Sequence, residues 1–255
     1  MIKHLLVTLS LTFALQAHAT IVELQTSEGT IQINLFDNAT PATVENFLAY
    51  VNSGRYDNTI FHRSVSDFIV QGGGFAISDD PDFLLAQIDT DPAILNEPVY
   101  SNVRGTIAMA KNASSENSAT SQFFFNLVDN AEVLDGQNGG FTVFGQVIGN
   151  GMTVVDNIAA LNTYNFGSPF NELPVVNYTD QDYSADDPNA RVPLIDDNLV
   201  KVFTATIIDS TVDTAANLNP PRNTQITPPS NDDDDDGGSI SFAMLLMLLL
   251  ARRLK

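Results

Sequence analysis

The 255-residue sequence contains no cysteine. That removes disulfides, thiolate nucleophiles and cysteine-type zinc sites at once, so stability in an oxidising compartment must come from packing alone. Basic residues are scarce, with 11 Lys and Arg against 31 Asp and Glu and a net charge of -20. Such a negative surface repels phosphate backbones, and no nucleic-acid partner is expected. No internal repeat is present. What the chain does have is apolar content, 44% hydrophobic with 16 Phe, enough to build a core rather than a disordered chain.

Both ends have the composition of processing segments. Lys3 opens a basic start, residues 5–15 are largely apolar, and Ala17-His18-Ala19 has the small-x-small form read by signal peptidase. Export is favoured over a buried N-terminal helix because strand-like sequence begins directly after Ala19. At the other end, a Pro-Pro-Ser-Asn stretch at 228–231 leads to five aspartates at 232–236, Gly237-Gly238, an apolar run at 240–251 and a basic end, Arg252-Arg253-Leu254-Lys255. The run is shorter than the roughly 17 to 25 residues of an ordinary spanning helix. The order acidic spacer, glycine pair, short apolar helix and basic end resembles the GlyGly-CTERM sorting tails of bacterial exported proteins. That resemblance implies transient membrane contact and cleavage near the glycines by a rhomboid-type protease. A GPI signal, by contrast, ends in its apolar tail. The aspartate run lacks alternating ligand spacing and a closing Glu and is taken as a solvated spacer rather than a calcium site. Removing both segments leaves 7 basic residues against 31 acids, or -24. The expected organisation is a signal peptide at 1–19, one domain at 20–212, a Pro/Asp-rich linker at 213–236 and a sorting or membrane segment at 237–255.

Between the ends, residues 30–35 alternate cleanly, with Ile31, Ile33 and Leu35 on one face and Thr30, Gln32 and Asn34 on the other, the mark of a half-buried strand. Residues 21–25 supply its hairpin partner across Ser27-Glu28-Gly29. Thr40 is placed to cap a helix that starts at Pro41, along which Val44, Phe47, Leu48 and Val51 fall at i, i+3, i+4 and i+7. Further strands are expected at 60–63, 68–71, 106–110, 122–127, 141–147 and 199–208, with one more helix at about 152–161. Many short strands with few helices point to a mainly β, antiparallel barrel or sandwich. Residues 162–198 show no periodicity and are expected to be a long insertion or loop.

Three ordered segments carry a resemblance. The first is Phe61-His62-Arg63, then Phe68, then Gln71-Gly72-Gly73-Gly74-Phe75. The second is Gly105-Thr106-Ile107-Ala108-Met109-Ala110 followed by Ser121-Gln122-Phe123-Phe124-Phe125-Asn126. The third is Leu134-Asp135-Gly136 followed by Phe141 and Val143-Phe144-Gly145. Together they are similar to the signature of cyclophilins over about 21–208, and three ordered matches are far more specific than one. The resemblance implies an eight-stranded antiparallel barrel capped by two helices and a peptidyl-prolyl cis/trans isomerase activity. By position it implies that Arg63, Phe68 and Gln71 are catalytic. Ile69, Ala110, Gln122, Phe124, Leu134 and Phe141 would line the substrate groove. Val133 stands where many eukaryotic members carry tryptophan, and Lys111-Asn112 departs from their usual asparagine segment.

The implied chemistry is physically reasonable. An X-Pro amide resists rotation by roughly 18 to 20 kcal/mol because the nitrogen lone pair is shared with the carbonyl. A guanidinium aimed at that nitrogen stabilises the twisted state, and Gln71 is expected to hold the guanidinium fork. Strand alternation puts Phe123 and Phe125 inward and Phe124 toward the groove. His62, the one histidine left after signal removal, is expected to be structural because it has no triad partner. The glycine triplet lacks the lysine and helix of a phosphate loop and is expected to be a tight backbone passage. Asp180, Asp182, Ser184 and Asp186 only faintly resemble a calcium loop, since Ala185 and Arg191 occupy its sixth and twelfth positions. No cofactor or metal is implied, because the reaction breaks no covalent bond. Proline-containing polypeptides are the expected substrates and a monomer the expected state. The product is expected to be periplasmic, surface-bound or released. The intact Arg63, Phe68 and Gln71 set favours an enzyme over a module that only holds proline peptides.

Overall fold

The computed structural model describes residues 20–78, 84–210 and 218–226. The expected signal peptide, aspartate spacer, glycine pair, apolar run and basic end lie outside these residues. Among the described residues no helix is long and apolar enough to cross a membrane.

Strands β1 (Ile21–Thr26) and β2 (Gly29–Leu35) form the expected hairpin, paired from Ile21 opposite Asn34 to Thr26 opposite Gly29. They are followed by helix α1 (Pro41–Asn52), β3 (Thr59–Ile60), β4 (Arg63–Val65), β5 (Ile69–Gly72), β6 (Phe75–Ile77) and β7 (Leu85–Gln87). Next come β8 (Thr106–Met109), β9 (Phe123–Asn126), the single turn α2 (Ala131–Leu134), β10 (Val143–Ile148) and helix α3 (Gly151–Ala159). A ribbon of β11 (Thr163–Tyr164) and β12 (Leu173–Pro174), the single turn α4 (Asp180–Tyr183) and the long β13 (Lys201–Asp209) complete the order.

One antiparallel sheet runs β4-β5-β9-β8-β10-β2-β1-β13-β3-β6-β7. Its curl comes from the segment through Phe61 and His62. Ile60 pairs with Lys201 on β13 and Phe61 N donates to Val200 O, whereas His62 N donates to Gln71 O and Arg63 pairs with Gln71 on β5. The expected eight strands become eleven for two reasons. The 60–63 run breaks into β3 and β4 where it changes partners, and β6 with β7 adds a hairpin too short and mixed for alternation to reveal. Likewise the expected pair of helices, α1 and α3, is joined by the turns α2 and α4.

Alternation sorts side chains onto two faces. Val70, Ile107, Met109, Phe123, Phe125 and Phe144 join Leu24, Ile31, Ile33, Phe47 and Val155 in the main core. Their neighbours Ile69, Ala108, Phe124 and Val143 point the other way, into a second cluster with Phe36 and Leu134. Phe123 therefore faces inward and Phe124 outward, as expected. Helix α1 buries Val44, Phe47 and Val51, with Leu48 at the margin. Its cap is not Thr40, whose hydroxyl donates back to Phe36 O. Glu97 does that work from 54 residues away, its carboxylate accepting from Thr43 N at 2.9 Å and Thr43 Oγ1 at 2.7 Å. A carboxylate at a helix N-terminus satisfies amides that have no partner within the helix and meets the positive end of its dipole.

Residues 162–198 are not a loose loop. Tyr164, Leu173, Val175 and Tyr178 close a third apolar cluster with Ile60 and Leu199, and Phe75, Phe166 and Phe170 pack around it. The aromatic and aliphatic spacing there matches no single period because it serves a ribbon, a turn and two further loops within 37 residues. Asp182 accepts from Thr179 N and Oγ1 and so caps α4, whereas Asp180 accepts from Tyr164 OH and ties the turn to the ribbon. Past β13, residues 218–226 return to the domain inside what the sequence marks as linker. Ser101 N donates to Pro221 O, Asn223 N to Val99 O, Asn223 Nδ2 to Asp135 O and Gln225 Nε2 to Ala131 O. Leu218 packs on the second cluster.

Candidate active site

The second cluster floors a pocket of about 220 Å³. Its walls come from separate places in the chain: Arg63 on β4, Phe68 just before β5 with Ile69 and Gln71 on it, Ala110 just past β8, Phe124 on β9, Leu134 at the end of α2 and Phe141 beyond that turn. Eight of the nine residues singled out in the sequence line it. The ninth, Gln122, lines an adjoining polar pocket that shares Gln71 and Ala110 with the first. Ile69, Phe124 and Leu134 are buried, whereas the other six are half-buried and reachable from solvent. Phe124 and Phe141 meet edge to face at 5.8 Å between ring centres. An apolar slot of this size holds a small ring and excludes water.

A buried amide network, not legible in the sequence, holds the walls in register. Asn130 Nδ2 donates to Phe68 O at 2.9 Å and to Asn126 Oδ1 at 2.8 Å. Asn126 Nδ2 reaches Thr106 Oγ1 at 2.9 Å and Asn102 Oδ1 at 3.3 Å. Asn102 in turn donates to Asp135 Oδ1 through its backbone N at 2.8 Å and through Nδ2 at 3.0 Å, and Nδ2 also reaches Phe141 O at 3.1 Å. Three wall segments are thus tied to one satisfied polar cluster, and such clusters rigidify because every unmade bond in a buried site is costly. Thr106, Asn126 and Asp135 sit inside the quoted motifs, and that was the one available sequence signal.

The glycine triplet is the expected close passage. Gly73 has φ of 74°, and a Cβ there would lie 2.8 Å from the Phe123 ring and from Ser121 O. A Cβ on Gly74 would meet the Gln122 side chain at 2.7 Å. Only glycine lets β5 leave the sheet along this route.

The polar side chains are arranged differently from the expected fork. Arg63 and Gln71 are cross-strand partners, yet Gln71 Nε2 donates to Gln122 Oε1 at 2.8 Å, and Arg63 Nε pairs with Glu172 Oε2 at 3.0 Å. A carboxylate outcompetes a neutral amide for a guanidinium, because the charge-assisted bond is about twice as strong. Gln71 is left to position Gln122, which also hydrogen-bonds His62. His62 is 2% exposed, and its ring meets Phe75 edge to face at 4.9 Å. Burial, with help from the neighbouring Arg63 charge, pushes its pKa down to about 4 despite the Gln122 bond. The imidazole is neutral and structural at neutral pH.

Lys111 is a second cation in the same pocket. Its ammonium donates to Asn138 O and Gly140 O, each at 2.7 Å, and lies 4.9 Å from the centre of the Phe141 ring. Burial holds its pKa below the ordinary lysine value, opposed by the nearby Glu116 carboxylate. Two fixed positive charges thus face an apolar slot in a strongly acidic protein. Val133, beside Leu134, is 53% exposed and adds no aromatic wall. Among the described residues no cluster of three or more His, Cys, Asp or Glu could hold a metal ion.

Comparison with known proteins agrees with this geometry. Residues 21–180 match the family described as cyclophilin type peptidyl-prolyl cis-trans isomerase/CLD. Peptidyl-prolyl cis-trans isomerase A of Dickeya dadantii is 46% identical over 159 residues, covering 61% of this chain and 79% of that protein. Peptidyl-prolyl cis-trans isomerase B of Escherichia coli is 43% identical over 151 residues, covering 56% and 86%. In fold, the chain is similar to the crystal structure of a Cryptosporidium parvum cyclophilin type peptidyl-prolyl cis-trans isomerase, with a TM-score of 0.50 and 21% identity over 75% of this chain and 99% of that one. With the pocket, its cation and its apolar walls in place, these matches make the chain a member of the cyclophilin-type peptidyl-prolyl cis-trans isomerases, a family of enzymes.

Proposed function

We propose that this enzyme is exported and isomerises X-Pro bonds in other exported proteins, assisting their folding. The observation that carries the reading is Arg63 standing at the rim of a slot walled by Phe68, Phe124, Leu134 and Phe141. In the reading, the slot takes the proline ring and its walls exclude water. Arg63, with Nε occupied by Glu172, offers its terminal nitrogens to the amide. As the peptide bond twists, its nitrogen becomes pyramidal and basic, and a preorganised cation stabilises that state more than the planar one. Ile69, Ala110 and Gln122 line the path of the flanking peptide, with Gln71 acting through Gln122 and Lys111 at the junction of the two pockets. The cationic rim also draws polypeptide carbonyls toward a protein whose remaining surface is anionic.

Export rests on the basic, apolar and small-residue order of 1–19. Release from the membrane rests on the acidic spacer, Gly237-Gly238 and the short apolar run. Glycine has poor helix propensity, so the backbone at that pair unwinds readily where an intramembrane protease needs an extended strand. The product is then a monomer free in the periplasm, at the surface or outside the cell. Two measurements test the proposal. The purified protein should accelerate isomerisation of a short Ala-Pro-Phe peptide, and no acceleration over the uncatalysed rate would refute the enzymatic part. Mass spectrometry of the protein from its host should find a start at Thr20 and an end near Gly238, and a single species running from Met1 to Lys255 would refute the processing.

A further inference from the structure

The stretch at 162–198 delivers Glu172 to Arg63 across 109 residues of sequence. Its backbone is held on both sides. Ser64 N on β4 donates to Glu172 O at 2.8 Å, and the next residue, Leu173, is 1% exposed in the cluster with Ile60, Tyr164 and Leu199. With its Cα so fixed, the Glu172 carboxylate has only its own side-chain torsions left, and it meets Arg63 Nε at 3.0 Å. β4 is the end strand of the sheet order and pairs with β5 alone, so its outer flank would otherwise face solvent. The ribbon covers that flank, and the carboxylate arrives with it.

We infer that Glu172 is a positioning residue for the isomerase reaction: it holds the Arg63 guanidinium by Nε so that the terminal nitrogens stay aimed into the proline slot. The inference rests on the reading of Arg63 as the catalytic cation. An unanchored arginine has four rotatable side-chain bonds and spreads over many rotamers, of which few point at the slot. Among the described residues, the Glu172 bond is the one that Arg63 makes. With side-chain exposures of 32% for Arg63 and 43% for Glu172, the pair contributes little to stability in water. Its value lies in orientation, and small misplacements of a catalytic group are costly in rate.

The test compares wild-type protein with Glu172→Ala, Glu172→Gln and Arg63→Ala in a proline-peptide isomerisation assay, alongside the Arg63 Nε–H signal in ¹H–¹⁵N spectra. Glu172→Ala should lower kcat about tenfold with KM within about twofold, because the apolar walls are untouched. Glu172→Gln keeps an acceptor for Nε and should recover most of the lost rate. The Nε–H signal should be shifted and slowed in exchange in wild type and Glu172→Gln, and ordinary in Glu172→Ala. Wild-type kcat in Glu172→Ala with its Nε–H signal collapsed overturns the inference while the isomerase reading stands. Equal losses in Glu172→Ala and Glu172→Gln overturn it too, since charge and not anchoring would then be at work. An inactive wild type, or a fully active Arg63→Ala, removes the underlying reading and this inference with it.

Discussion

His62 makes stability depend on pH in a way that can be isolated. Its pKa of about 4 in the fold compares with about 6.5 in an unfolded chain. As pH falls through 6.5 the unfolded chain takes up a proton and the folded one does not, so the fold loses ground until pH 4, where both are protonated. The stability is therefore complete above about 6.5, declines between 6.5 and 4, and is flat below. A gap of about 2.5 units at about 1.4 kcal/mol each gives a loss of about 3 kcal/mol. Many carboxylates titrate in the same range, so the comparison must be a difference between proteins. Urea denaturation of wild type and His62→Gln at several pH values between 7.5 and 4 should show the wild-type stability falling by about 3 kcal/mol more than the variant's. Whatever the substitution costs at pH 7.5 is a constant offset and does not affect that slope. Parallel curves, or an imidazole proton in the chain from Thr20 that titrates near 6.5, would refute the buried neutral histidine.

Arg63→Ala should lower the isomerisation rate by about 10² to 10³, equivalent to about 3 to 4 kcal/mol of transition-state stabilisation. Its melting curve should barely move, because a half-exposed ion pair is worth under about 1 kcal/mol; calorimetry and the peptide assay together check both halves. Gly73→Ala forces a Cβ to 2.8 Å from Phe123 and Ser121 O at φ of 74°. Unfolding by denaturant should show a loss of about 2 to 5 kcal/mol, from the left-handed backbone and the overpacked core. The double change Asn223→Ala and Gln225→Ala cuts the returning segment from Asp135 O and Ala131 O. It should cost about 1 to 2 kcal/mol at about 1 kcal/mol per hydrogen bond, and unchanged stability would mean that the segment does not hold the α2 wall in solution.

What could be read ahead of the structure was local. The 30–35 alternation placed Ile31, Ile33 and Leu35 in the core, and the 3.6-residue spacing of Val44, Phe47 and Val51 placed α1. Strand period alone separated Phe124 from its neighbours Phe123 and Phe125. The pocket walls followed because the three motifs carry their residues on short local stretches: β4 and β5, the neighbourhood of β8 and β9, and the turn α2 with the residues after it. Where one run of sequence served two partners, as at 60–63, the local pattern could not show the break.

By itself, then, the sequence determined the pleat, the periodicity and the chemical type of the walls, since these depend on neighbours within a few residues. Tertiary structure alone decided the long-range pairings. Which of 31 acidic residues would meet Arg63, which would cap α1, and which amides would join Phe68, Leu134 and Phe141 into one pocket depended on contacts 33 to 109 residues apart. A half-exposed carboxylate looks the same in sequence whether it faces water or a guanidinium. The choice is made when Leu173 and Tyr164 bury themselves beside Ile60 and carry Glu172 to the end strand of the sheet.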